Sequence, residues 1–181
     1  MPLRVALNIS PRQFAHPEFV SQIVACLERS HFPGDLLELE LTERLVVQDL
    51  SGAAMKIGLL KALRVQVALN DFGTGHPSLS HLMNLPFQAL KIDRQFVLNA
   101  EHSPAGQGVI RAITSIARAL NLRVVAEGVE TQAQHALVTS LGCGVVQGYL
   151  LGRPVTAGNL GAWLETHLER TRQSLSAAPQ G

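Results

Sequence analysis

Val65-Gln66-Val67-Ala68-Leu69, running into Asn70-Asp71-Phe72-Gly73-Thr74-Gly75, decides how this chain is read. Four of the first five residues are apolar, two of them β-branched, and the run is too short for a helix. They read as a buried strand. Gly73 and Gly75 then free the backbone to form a loop and to approach a ligand closely. Between strand and loop sit an amide and a carboxylate. An acid–amide pair at a strand exit is where an α/β enzyme builds a metal or phosphate site.

Five more short apolar runs share this character, at residues 3–7, 36–41, 89–92, 122–126 and 145–150. Longer amphipathic stretches lie between them, and the spacing predicts helices over 17–30, 53–63, 108–120, 131–141 and 157–170. One stripe is expected to carry Phe19, Ile23, Cys26 and Leu27 in the first, and Ala53, Ile57, Leu60 and Lys61 in the second. The third presents Val109, Ile113, Ile116 and Leu120. The last presents Leu160, Trp163, Leu164 and Leu168. Thr131 is the expected N-cap of the fourth helix. Alternating strands and helices with short loops mean a parallel α/β sheet. Residues 1–170 read as one domain, and 171–181 as a frayed tail.

Every expected strand delivers polar side chains at its end. The first gives Asn8, the second Glu40 and Glu43, and the third Asn70 and Asp71. The fourth gives Lys91 and Asp93, the fifth Glu127 and Glu130, and the sixth Gln147. A single such residue is usually a solvated loop position. Six strands in six doing it favours a barrel, which gathers all strand ends on one face, over an open sheet, which spreads them apart. Glu40, Asp71 and Glu127, with the amides of Asn8 and Asn70, are hard oxygen donors suited to Mg²⁺ or Mn²⁺. With Lys91 to hold a water or offset phosphate charge, the set points to metal-assisted attack on a phosphate ester. Asp71-Phe72-Gly73 matches a kinase tripeptide but lacks that family's companion loops. A Schiff-base role for Lys91 needs an apolar enclosure that its neighbours Ile92 and Asp93 do not supply.

Composition removes other classes. The 181 residues are 46% hydrophobic and 16% charged, enough for one globular core. A net charge of +1 and 4% aromatics leave no footprint for a nucleic-acid polymer or an anionic membrane. No apolar stretch approaches the ~20 residues of a membrane span. Met1-Pro2-Leu3-Arg4 does not open a leader peptide. Cys26 and Cys143 stand alone and read as reduced core thiols in a cytoplasmic protein. The scattered histidines show no zinc spacing.

Asn8-Ile9-Ser10, Glu40-Leu41-Thr42-Glu43, Asn70 to Gly75, Lys91-Ile92-Asp93, Ala126 to Thr131 and Gln147-Gly148-Tyr149 together resemble the EAL domain family, in order and spacing, over about residues 3–154. The resemblance implies a TIM-like barrel that hydrolyses cyclic di-GMP to linear pGpG with two Mg²⁺ or Mn²⁺ ions. It puts Asn8, Glu40, Asn70, Asp71 and Glu127 on metal positions. Lys91 and Glu127 fall on catalytic positions, and Asp93 and Gln147 on substrate-binding ones. Glu43 and Glu130 fall on carboxylates that brace the loop following Gly73. Two departures accompany it. The Glu-Ala-Leu signature and the first two family strands, with their helices, do not occur in these residues, which predicts an incomplete barrel whose open edges invite a second copy or a partner chain. Asn70 also stands where the family has an aspartate that bridges both metals. An amide brings no charge to balance dications, so hydrolysis is expected to be impaired or absent. The alternative is a non-catalytic module that binds cyclic di-GMP or a protein partner.

Overall fold

The computed structural model describes residues 3–73 and 83–176. Among the described residues, six strands form one sheet: β1 (Val5–Asn8), β2 (Leu37–Thr42), β3 (Gln66–Phe72), β4 (Ala89–Ile92), β5 (Arg123–Ala126) and β6 (Val145–Val146). They lie side by side in chain order and every pair is parallel. That order is the one consecutive staves of a barrel take. A doubly wound sheet would reverse direction partway across. The observed sheet is thus an incomplete TIM-like barrel.

The helices are α1 (Pro11–Ala15), α2 (Phe19–Ser30), α3 (Glu43–Gln48), α4 (Leu50–Ala62), α5 (Arg94–His102), α6 (Pro104–Ala119), α7 (Gln132–Ser140) and α8 (Ala157–Ser176). The chain divides into two compact units, residues 1–150 and 151–181. The first holds the whole sheet. Its core is closed by Leu39, Leu41, Ile57, Leu60, Leu90, Ile92, Val97 and Ile110, all without solvent contact. β2 shows why both faces are needed. Leu37, Leu39 and Leu41 alternate with Glu38 and Glu40, and all five are buried. The apolar set joins the core. The glutamates point to the other side, where each finds a cation.

The sheet has two edges. β1 is exposed along its length, with Val5 and Leu7 at 41% and 46% exposure. β6 is only two residues long, shorter than the expected run over 145–150. Glu38 ties three strands together at the end of the sheet opposite the polar exits. It pairs with Arg123 on β5 and, at 3.9 Å, with Arg4 before β1.

Thr131 caps α7 as expected, in a reciprocal box with Gln134. Other expectations need correction. Cys26 is exposed; only Cys143 is a core thiol. On α6 the buried line runs through Ile110, Ile113, Thr114 and Ala117, so Val109 faces solvent at 42%. Thr114 is accommodated because its hydroxyl donates to Leu141 O at 2.9 Å. In the second unit, Leu160 is exposed rather than inward. α8 runs on to Ser176, through the start of the expected tail. Thr74, Gly75 and the rest of 74–82 lie outside the described residues. Among the described residues no helix is long and apolar enough to cross a membrane.

Leu39 on β2 has no solvent contact and Cys26 on α2 is exposed, so the two positions separate core from surface. Leu39→Ala is expected to cost about 2–5 kcal/mol through a lost transfer term and a cavity. Cys26→Ser is expected to stay within about 0.5 kcal/mol. Urea denaturation midpoints of the two variants check both.

Candidate functional site

Lys91 is the centre of the polar end of the sheet. It lies on β4 and is only 2% exposed. A buried ammonium costs several kcal/mol unless it is paired. Here it has two partners. Glu40 Oε1 on β2 and Glu127 Oε1 just after β5 each lie 2.5 Å from Lys91 Nζ. Glu40 is equally enclosed, and Glu127 is partly open at 19% side-chain exposure. The lysine thus joins three strand ends that are far apart in sequence.

Burial works against the ammonium, but the hydrogen bonds and charges of Glu127 and Glu40 outweigh it and raise the Lys91 pKa above 10.5. Burial also raises the Glu127 carboxyl pKa above its usual value. Lys91 opposes this, and the negative charges of Glu40 and Asp71 add to it. The two directions agree: one ammonium among three carboxylates leaves negative charge in excess.

β3 brings the acid–amide pair. Asn70 is buried, and its side-chain N–H donates to Asn8 Oδ1 at 3.4 Å, linking the ends of β1 and β3. Its own Oδ1 accepts from the Asp71 backbone N–H at 3.0 Å. Asp71 has φ +55, a left-handed conformation that is costly for a residue with a Cβ. It sits where the register with β4 slips, between Leu69 and Phe72. Such a bulge re-aims a side chain beside a site. The sequence reading ended this strand at Leu69; the strand instead runs through Phe72, bulged at Asp71.

The remaining expected residues are placed as follows. Asp93 caps α5, accepting from Gln95 N at 2.8 Å. Gln147 follows β6 with its side chain exposed, while its backbone bonds to Ala126 O and from Val129 N. Glu43 is buried in the first turn of α3. Glu130 pairs with Arg94 at 2.8 Å. The loop that Glu43 and Glu130 were expected to brace is outside the described residues. The sequence reading missed Arg94, although it directly follows Lys91-Ile92-Asp93. It also gave no sign of the burial of Lys91, which long-range partners create.

Among the described residues, no three His, Cys, Asp or Glu side chains stand together ready to hold a metal ion. The donor chemistry still fits a hard dication. Glu40, Asp71 and Glu127, less the charge on Lys91, leave two negative charges, enough for one dication and short of two. Asn8 and Asn70 add neutral oxygens.

Sequential parallel strands with acids, amides and a paired lysine at their ends define a barrel-type site. Comparison with known proteins identifies the kind. The EAL domain family model matches residues 1–154. MucR of Pseudomonas aeruginosa, described as a bifunctional diguanylate cyclase/cyclic di-GMP phosphodiesterase, is 41% identical over 156 residues, covering 86% of this chain and 23% of MucR. A structure of the MucR phosphodiesterase in complex with c-di-GMP superimposes with TM-score 0.82, covering 87% of this chain and 64% of that one. The EAL domain of Mycobacterium smegmatis DcpA gives TM-score 0.85 at 35% identity, covering 91% and 74%. Klebsiella pneumoniae BlrP1, solved with manganese and cy-diGMP, gives 0.77 at 28% identity, covering 83% and 39%. This chain belongs to the EAL domain family, and spans about a quarter of the length of MucR.

Replacing Lys91 with Met leaves the buried Glu40 and the half-buried Glu127 without their cation, and is expected to cost about 3–5 kcal/mol at neutral pH. The sign of the pH effect follows from the raised Lys91 pKa. Its stabilisation is full below 10.5 and is lost as pH rises through the higher folded value. Thermal unfolding between pH 8 and 12 should therefore show an alkaline decline that is smaller in Lys91→Met than in the parent.

Proposed function

We propose that this chain is the catalytic half of a cyclic di-GMP phosphodiesterase barrel, opening the ring to pGpG slowly. The observation that carries the reading is the Glu40–Lys91–Glu127 triad at the strand exits. The relatives' substrates support the choice of cyclic di-GMP. A bound Mg²⁺ or Mn²⁺ would polarise the scissile phosphate and sharpen the attacking water. Glu40, Asp71 and Glu127, with Asn8 and Asn70, are the residues to hold it.

The chain's own groups divide the work. Lys91, fixed between two carboxylates, presents its remaining N–H to orient a water at the phosphorus. Glu127 is the partly open carboxylate of the triad, and takes the proton that this water gives up. Water adds to phosphorus as its proton passes to Glu127, the bond to the bridging ribose oxygen breaks, that oxygen takes up a proton to become a hydroxyl, and the ring opens. Asp93 at the β4 exit and Gln147 at the β6 exit contact the nucleotide. Asn70 is the reason for slowness. It spends its amide on Asn8 and on the Asp71 backbone, and adds no charge to the cation site. The same observation favours a second reading, in which the chain binds cyclic di-GMP and does not turn it over.

Incubation with cyclic di-GMP and Mn²⁺, with pGpG followed by chromatography, tests the proposal. Slow, metal-dependent release is expected, and Asn70→Asp should raise it by about tenfold or more, given what ligand-shell changes do at metal sites. No release from either protein, with cyclic di-GMP still bound by calorimetry, would leave the binding-module reading.

A further inference from the structure

Gly128 lies in the turn from Glu127 to Glu130, at φ +68. A Cβ there would stand 2.6 Å from Arg94 Cβ and 2.8 Å from its Cδ, with Cγ closer still. The aliphatic stem of Arg94 thus fills the space that the absent side chain leaves. Its guanidinium continues to Glu130, 2.8 Å away. Arg94 is the first residue of α5 and follows Lys91 by three positions on the same strand exit.

The turn is gripped from the other side as well. Val129 N donates to Gln147 O at 3.0 Å, and Leu150 N to Val129 O at 3.1 Å. Gly148 rests directly on the Val129 backbone. Glu127 N donates to Ile92 O at 3.0 Å. The β6 exit and the β4 backbone therefore hold the ends of the turn, and the stem of Arg94 lies nearest its glycine. The same helical turn also presses Phe96 toward Gly73, which has φ +94 and whose absent Cβ would sit 2.9 Å from the ring. One short turn of α5 thus packs on the exits of both β3 and β5.

We propose that Arg94 is a positioning residue for the phosphodiesterase site: its stem, packed on Gly128, holds the turn that aims Glu127 at Lys91. The proposal rests on the reading of the site given above. The exposed ion pair with Glu130 is secondary, since such pairs are individually weak and Arg94 is 53% exposed. The stem acts by packing, as long charged side chains often do.

The test uses the Lys91 ammonium as reporter, by ¹⁵N NMR of the lysine-labelled chain. Lys56 and Lys61 are the other lysines, so assignment is direct. In the parent protein the Lys91 ammonium should exchange slowly with water. Arg94→Ala is expected to speed that exchange at least tenfold while the amides of Val97 and Ala100 in α5 keep their protection. Arg94→Met, which keeps the stem and loses the charge, should stay within twofold of the parent. Arg94→Ala within twofold of the parent would overturn the proposal. So would Arg94→Met matching Arg94→Ala, which would credit the ion pair, or loss of α5 protection alongside, which would credit folding. No nucleotide or metal enters the measurement, so failure of the phosphodiesterase reading would show separately, as absent turnover with the Lys91 signal behaving as expected. If turnover is present, Arg94→Ala should lower kcat at least tenfold with KM within twofold.

Discussion

One buried ammonium shared by two buried or half-buried carboxylates is the constraint on which the polar end of this sheet depends. Lys91 cannot occupy the interior without Glu40 and Glu127, and they cannot converge without it. Ion pairs of this kind add little net stability compared with an apolar core, but removing one partner is expensive. The sheet therefore carries a cost at its functional end. The opposite end carries a related arrangement, with Glu38 between Arg123 and Arg4. Two glutamates of β2 are thus tied to cations, and the apolar residues that alternate with them, Leu39 and Leu41, anchor the strand in the core.

The neighbouring strand shows how the site is aimed. β3 bulges at Asp71, holding it in a left-handed conformation, and Asn70 is pinned to Asn8 and to the next backbone N–H. Both features fix side chains that would otherwise rotate freely in a strand end. Positive charge at Lys91 and an amide at position 70 together limit how much cationic charge the site can bind. In the function proposed above, that balance accounts for slow turnover, and it depends on charges within this chain.

Much of the fold was legible in the sequence because parallel strands buried on both faces read as short apolar runs. The runs over 65–69 and 89–92 fall on β3 and β4. The helices α1, α3 and α5 were not legible; α1 and α3, of five and six residues, are too short to show a full amphipathic stripe. Capping chemistry was the usable signal: Ser10 and Asp93 begin α1 and α5 as Thr131 begins α7. On α6 the stripe was misjudged by one residue, Val109 for Ile110, because buried Thr114 does not look apolar. At the candidate site, motif order nominated the residues. The burial of Lys91 and the packing of Arg94 on Gly128 depend on partners across the sheet, which no local pattern shows.

The central claim is that Glu40 and Glu127 act as one unit through Lys91. A double-mutant cycle on Glu40→Gln and Glu127→Gln, read by urea denaturation at neutral pH, tests it most directly. The account predicts non-additivity of about 1 kcal/mol or more, since the second loss strands an ammonium that the first leaves paired. Costs that add to within about 0.3–0.5 kcal/mol would contradict it, and would mean that the two carboxylates do not share the lysine.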